Sequence, residues 1–434
     1  MAKPKLALIP ATQGSKLYSV LPADGVGDFN FSRNSAATRI NKDGLIETVA
    51  VGKSRLNYPL IDGVVNGCPS HLLEPQRTNL ITYSEDFSNT AWSKTNTSIT
   101  SDAVISPDGT LNADSIVGNG ASGLHYVLNS VTVLSGQDYT FSIFAKVGTN
   151  NFFQLNMGGA QFGSSNYCNF NLSNGTIGSF GNTTSNRFIE KLGDGWYRVG
   201  FTSTTFSGGS ANFFPMLITS ATSSFLETNT LDTSVQIYGA MLEQDSYPTS
   251  YIPTSGSAVT RVAETANGAG DASTFNDSEG VLMAEISAFS DDSSFKLFGI
   301  NSGGTGNDIV ILGYSNVANT LYVNTKIGST SVISDTGQSI DQKSFNKISV
   351  KYKSGSNSIY VNGFKLASNT NTFTPTGTQL NELQFSYYTN TLNFYGSAKQ
   401  IQYFDSALND SDLEKITSWT SFTDLANGQT YSIK

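Results

Sequence analysis

Apolar and polar residues alternate with a period of two through much of the chain, which predicts β-strands. Residues 28–32 alternate in this way. Residues 38–47 read as a hairpin turning at Asp43-Gly44, with Ile40 and Leu45 on either side. Strand-like runs bounded by Gly, Asn, Ser and Asp follow at 138–146, 151–157, 167–172, 195–202, 212–218 and 234–243. They resume at 281–289, 345–353, 358–362, 392–395 and 399–405. One helix is predicted at 410–419, with Asn409 as its N-cap and Asp412 placed to favour the helix dipole. No sustained heptad predicts a coiled coil.

Punctuation divides these runs. An irregular stretch through Pro59, Gly63, Gly67 and Pro69 closes a first segment, 1–79. The prolines of 247–254 suit a linker, and the Gly/Ala/Ser/Asn-rich stretch 266–273 marks a boundary. The predicted organisation is therefore 1–79, 80–262 and 263–434. The fold class is all-β: two tandem antiparallel β-sandwiches after an irregular N-terminal segment, with one short C-terminal helix.

Composition narrows this picture. The 434 residues are only 14% charged, with 41 Gly, 19 Tyr and 27 Phe, and about a third are Ser, Thr or Asn. Enough aromatic and aliphatic residues are present to bury cores, which excludes a disordered chain. The net charge of −9 argues against a nucleic-acid partner. It is unevenly spread: residues 1–79 carry a net +3, and each of the two later stretches −6. A basic segment beside two acidic modules suggests an anchor for an acidic partner surface.

Candidate chemistry is sparse. Cys68 and Cys168 read as free thiols, and His71 and His125 have no partners at metal-ligand spacing. The N-terminal apolar run is too short for an export signal, and none approaches a membrane span. The chain lacks the spaced carboxylates of a glycoside hydrolase, a Gly-x-Ser-x-Gly elbow and a Walker loop. The expectation is a protein that is not an enzyme and needs no cofactor. Loop acids Asp291-Asp292 and Asn307-Asp308 leave Ca²⁺ open as a weak alternative to solvated turns.

Several motifs resemble a known group. The stretches 6–10, 16–22, 27–33, the hairpin 34–47 and 72–80 resemble the N-terminal region of tailed-bacteriophage structural appendages of the fibre, spike or head-fibre type. Residues 79–87 with Trp92, 193–199, 239–243 and 251–253 are similar to jelly-roll carbohydrate-binding modules. Residues 350–363 and 400–408 are similar to concanavalin A-like or laminin-G-like jelly rolls. The resemblance implies a virion protein made in the host cytoplasm, docked on other virion proteins through 1–79, with a trimer among the oligomers it suggests. The docking candidates are Phe29, Phe31, Arg33, Arg39, Leu45 and Arg77. Two alternatives stand beside it: a purely structural capsid or tail decoration protein, and a secreted bacterial glycan-binding adhesin.

Within 80–262 the alternation separates two faces. Phe153, Leu155, Met157, Cys168, Phe170, Leu172, Tyr197, Val199, Phe201, Val235, Ile237 and Met241 form the expected core. The opposite parity holds Phe152, Gln154, Asn156, Tyr167, Asn169, Asn171, Trp196, Arg198, Gln236 and Tyr238. Aromatic rings stack on sugar C–H faces while amides bond hydroxyls, so these ten are the carbohydrate-binding candidates. Against this stands the ordinary reading of polar outward positions, and for Trp196 that of a core plug.

Overall fold

The structure is a computed structural model that describes residues 3–13, 16–304, 306–376 and 380–419. Among the described residues it is all-β with one α-helix, Asp410–Thr417, capped by the Asn409 side chain accepting from the Asp412 N–H. Among the described residues no helix is long and apolar enough to cross a membrane.

The second stretch folds as a sandwich of two six-stranded antiparallel sheets. One sheet runs Ser93–Thr95, Tyr126–Val133, Gly209–Leu217, Phe152–Gly158, Tyr167–Asn171, Thr176–Phe180. The other runs Thr97–Ile105, Leu111–Gly118, Ser234–Glu243, Asp138–Val147, Trp196–Thr204, Thr184–Lys191. Between them lie Phe153, Leu155, Met157, Cys168, Phe170, Val199, Phe201, Val235 and Ile237, all fully buried. Met241 departs from the expected core. Gly239 takes a φ of 61°, and the pairing register slips between Ser142 and Phe144, so the strand bulges there. Past the bulge Ala240 and Leu242 face the core, while Met241 joins Tyr238 outside.

The third stretch forms a second sandwich, and it is here that the N-terminal segment differs most from expectation. Its main sheet runs Thr265–Asn267, Phe29–Ser32, Lys16–Leu21, Leu6–Gln13, Gly396–Phe404, Glu279–Ala288, Asn346–Lys353, Asn357–Val361, Phe364–Asn369. Ser70–Leu73 also pairs with Gly396–Phe404. The facing sheet runs Thr330–Asp335, Leu321–Ile327, Ile309–Tyr314, Lys296–Asn301, Glu382–Gln384. Residues 1–79 are thus no separate irregular arm: their strands complete a sheet whose other strands lie more than 200 positions later. Leu6, Leu8, Leu17, Phe29 and Phe31 sit in the same core as Leu282, Ile348, Val350 and Tyr403. The expected strand at 392–395 is irregular, and the last strand begins at Gly396.

The hairpin Ala37–Ile40/Ile46–Val49 forms as expected, with Gly44 at φ 81°. It leaves the third sandwich and lies on the second. The Ile46 N–H donates to Pro107 O at 2.9 Å. Ile46 packs with Trp196, Phe144, Tyr238, Met241 and Tyr251 in a third buried cluster, which joins the segment to the outer side of the second sandwich.

Candidate functional site

The ten carbohydrate candidates divide between the two sheets, so they do not make one surface. Trp196, Arg198, Gln236 and Tyr238 belong to the sheet covered by the N-terminal hairpin. Trp196 is buried and donates its indole N–H to Ile105 O at 3.1 Å, in the cluster beneath the hairpin and not in the sandwich core. Tyr238 is buried with its hydroxyl 3.0 Å from both Glu85 Oε1 and Asp108 Oδ2. Arg198 is buried and Gln236 half-buried. As an open sugar face this half of the set is corrected.

Phe152, Gln154, Asn156, Tyr167, Asn169 and Asn171 do share the outer side of the other sheet, but a loop over 219–229 covers part of it. Gln154 Nε2 donates to Asn169 Oδ1 at 2.6 Å and to Ser224 O at 3.1 Å. Asn169 Nδ2 donates to Ser223 O at 2.7 Å. Both amides are fully buried and tie the loop down rather than facing solvent. The loop is braced by Glu227, whose carboxylate accepts from the Thr219 N–H at 2.7 Å and the Ser223 hydroxyl at 2.9 Å. It carries Phe225 onto the half-buried Tyr167, centroids 5.6 Å apart. Phe152 and Asn171 are half-buried, and Asn171 Oδ1 accepts from the Ser173 N–H in a turn.

Beside this loop, on the same sheet, lies a hollow of about 450 Å³. Tyr126, Leu128, Asn212 and Phe214 form its sheet side, Gly158, Gly159 and Gly163 one rim, and Phe225 and Leu226 the other. The Tyr126 and Phe214 rings meet at 5.1 Å and 48°. A Cβ on Gly158 would approach Phe214 to 3.1 Å, so glycine keeps the floor clear. Asn212 Oδ1 accepts from the Ser130 hydroxyl at 2.8 Å, leaving its NH₂ group for other partners. None of the lining residues is charged. Asn156 lies in register with Phe214 on one side and Tyr167 on the other. It is buried with neither amide atom bonded to any described residue.

Alternation alone marked Asn156 and Tyr167 here but missed Tyr126, Phe214 and Phe225. Tyr126-Val-Leu-Asn-Ser alternates well enough to have revealed Tyr126. Phe213-Phe214 is ambiguous, since one ring of any doublet faces out, and Phe225 lies in a loop without periodicity.

The docking candidates are also relocated. Phe29 and Phe31 are core residues, and Leu45 packs half-buried against Gly109. Arg33 is buried and bonds Glu264 at 2.6 Å. Arg77 pairs with Asp245 and lies over the Tyr247 ring. Arg39 is partly exposed, paired across the hairpin with Glu47 at 2.9 Å. Arg33, Arg39, Arg55 and Arg77 of the segment thus meet acidic residues of the same chain. Its Arg33, Arg55 and the linker's Arg261 surround Glu74 and Glu264 in one buried network.

The loop acids considered for Ca²⁺ have other partners. Asp292 pairs with Lys296 at 2.6 Å, Asp291 with Lys343 at 3.6 Å, and Asp308 accepts from the Gly328 N–H at 2.7 Å. Among the described residues no group of three or more His, Cys, Asp or Glu is placed to hold a metal ion. Cys168 is buried and Cys68 exposed, both as free thiols.

No protein-family model and no curated protein matches the chain. Among solved structures it is similar to the CBM40 module of the Ruminococcus gnavus IT-sialidase bound to α2,3-sialyllactose, at 15% identity and a TM-score of 0.29, over 32% of this chain and 83% of that one. It is similar to the NanB sialidase of Streptococcus pneumoniae at 18% identity and a TM-score of 0.28, over 33% and 24%. A heptameric SAP-like pentraxin of Limulus polyphemus aligns at 12% identity and 0.26, over 33% and 71%.

Proposed function

We propose that the protein is a non-enzymatic glycan-binding component of a bacteriophage virion, and that it binds uncharged sugar units in the hollow beside Phe225. One observation carries the binding half: three aromatic side chains, Tyr126, Phe214 and Phe225, border a solvent-open hollow whose lining holds amide and backbone groups but no charge. Sugars offer such a surface C–H faces for the rings and hydroxyls for the amides. On the same face the buried Asn156 amide has no hydrogen-bond partner among the described residues. With no carboxylate in the lining, the hollow has neither acid nor nucleophile for glycoside cleavage, so binding rather than hydrolysis is proposed.

The test is a glycan array probed with the full chain, followed by titration of the best hit. Binding at millimolar sugar or tighter is expected, and Tyr126→Ala should weaken it about tenfold, equivalent to about 1.4 kcal/mol of stacking. No binding at millimolar sugar, or binding indifferent to Tyr126→Ala and Phe225→Ala alike, overturns the site. The virion half is supported by the order of motifs along the chain. Attachment to the particle then falls to exposed surface and not to Phe29, Phe31, Arg33 or Arg77. Gold-labelled antibody on purified particles tests it: absence of label from heads and tails refutes a virion role.

A further inference from the structure

The strand Gly209–Leu217, which carries Asn212 and Phe214 into the outer hollow, is entered through a turn over 205–208 that displays Phe206 at 68% exposure. Leu134, in the turn bonded to it, is also exposed. Hydrogen bonds brace this turn. Buried Thr205 donates its hydroxyl to Leu134 O at 2.6 Å, the Phe206 N–H donates to Gln161 O at 2.7 Å, and the Ser135 hydroxyl donates to Phe206 O at 3.2 Å. The ring abuts Gly163, where an added Cβ would lie 3.2 Å from Phe206 Cε2. Gly163 also lines the hollow, so ring and hollow share a border.

An apolar ring held in water by a braced backbone gains nothing from the fold. Phe180, also exposed on this sandwich, carries the Arg187 guanidinium 3.8 Å from its centroid, whereas among the described residues no ring or cation stacks on Phe206. The rim between Phe206 and the hollow is low: Gly159, Ala160, Gly163 and Ser164 are exposed, and none has a side chain larger than serine's. Along the sheet between them lie uncharged hydroxyls. Ser130, Thr132 and Ser210 are exposed on the side that carries Tyr126, Leu128, Asn212 and Phe214, with Ser130 opposite Asn212 and Thr132 opposite Ser210. At about 3.4 Å of rise per residue, the strand runs about 17 Å from Gly209 to Phe214, longer than one sugar ring.

We propose that the ligand of the outer hollow is a neutral oligosaccharide and not a single sugar: one unit sits in the hollow, and a later unit of the same glycan crosses the low rim to stack on Phe206. The inference rests on the reading of the hollow as a sugar site and adds its length specificity. A pyranose C–H face covers the ring, and the serine and threonine hydroxyls on the way both donate to and accept from sugar hydroxyls. Because the second contact is tethered to the first, it raises affinity without any change in the hollow itself.

Calorimetric titration of the full chain tests it with neutral series of increasing length: glucose with its malto- and cello-oligosaccharides, mannose with its manno-oligosaccharides, and N-acetylglucosamine with its chito-oligosaccharides. In at least one series affinity should rise at least about tenfold from the monosaccharide to the longer members. Phe206→Ala, a substitution of an exposed side chain, should remove that rise and bring long and short members level, while Tyr126→Ala weakens members of every length. Monosaccharide binding that Tyr126→Ala weakens, with no rise along any series or with a rise that Phe206→Ala leaves in place, overturns the inference and keeps the hollow. No binding by any probe, or binding indifferent to Tyr126→Ala and Phe225→Ala at every length, removes the hollow and the inference with it. Light scattering on the unaltered chain and on Phe206→Ala adds a last check: a dimer lost in the variant assigns the ring to a second copy of the chain and overturns the proposal.

Discussion

Glu264→Gln is the perturbation that best probes how the segment 1–79 is held. Glu264 Oε1 accepts from Arg33 Nη1 at 2.6 Å and from Arg55 Nε at 2.9 Å. Oε2 accepts from Arg55 Nη2 and from the Glu74 N–H at 2.8 Å. Glu74 in turn pairs with Arg55 at 2.8 Å and Arg261 at 2.9 Å, and every partner is at most 2% exposed. Glutamine preserves shape and removes one charge, so three buried guanidiniums then share a single carboxylate. Arg33 then has no ionised partner, only the glutamine amide oxygen and the carbonyls of Ser35, Val49 and Ala50. Breaking a buried pair in this way costs about 3–5 kcal/mol, chiefly because a charge is left unpaired. Glu47→Gln is the control. It removes the partner of Arg39 in a pair that is 23% and 43% exposed, and it should cost under about 1 kcal/mol. Urea unfolding followed by tryptophan fluorescence reads both, since Trp196 sits in the cluster joining the segment to the second sandwich. If the cost comes from the orphaned cation, adding Arg33→Met to Glu264→Gln should restore part of the loss. Equal costs for Glu264→Gln and Glu47→Gln, or a double variant no better than the single, would refute the reasoning.

Acidification should loosen the same region in two stages. Burial holds the His71 imidazole neutral down to about 4 from an ordinary 6.5. The folded state therefore binds fewer protons than the unfolded one, and stability falls as pH drops from about 6.5 toward 4. For Glu74, burial opposes ionisation, but Arg261 and Arg55 prevail and lower its carboxyl from 4.5 to about 2. Its contribution is present above the unfolded value and is lost as pH falls from about 4.5 toward 2. Urea midpoints measured against pH should show both steps, and His71→Gln should flatten the upper one alone. Gly63 and Gly52 offer a paired test of the N-terminal segment's fit, since both have positive φ, 81° and 70°. An added Cβ at Gly63 would lie 2.3 Å from Leu192 O, whereas at Gly52 it would meet nothing within 4 Å. Gly52→Ala should cost about 1 kcal/mol of backbone strain, and Gly63→Ala clearly more because the turn must lift off Leu192. Denaturant melts that rank the two equally would contradict the packing.

The sandwich class was legible because the strands that make its cores are rich in β-branched and aromatic residues at strict alternation. The runs 138–146, 151–157, 167–172 and 234–243 lie close to observed strands. Thr97–Ile105 escaped notice because Thr-Ser-Ile-Thr-Ser-Asp-Ala-Val-Ile at a sheet edge has little to bury. Ile309–Tyr314, buried along its whole length, has no alternation to detect. Parity assigned Gln154, Asn156 and Tyr167 to one side of their sheet correctly. It failed at Met241, where one bulge inverts the faces. It had no means of telling which side of which sheet another part of the chain covers.

That covering also gives the charge asymmetry an internal side. Net charge along a chain does not reveal where its partners are, and a basic segment beside acidic modules is compatible with an external anchor or with internal pairing. Here Arg33 and Arg55 reach Glu264 from more than 200 positions away, and Arg77 reaches Asp245 from 168. The guanidiniums span a gap between two sandwiches that apolar side chains would have to fill with matching shapes, and they fix the register of the segment through directional bonds. Closing the segment over the second sandwich buries Trp196 and Tyr238 on that sheet. On the other sheet Tyr126 stays half-buried at the hollow, with Phe214 buried behind it. Release of the segment would therefore uncover Trp196 and Tyr238, and the Glu264 network holds the segment in place over them.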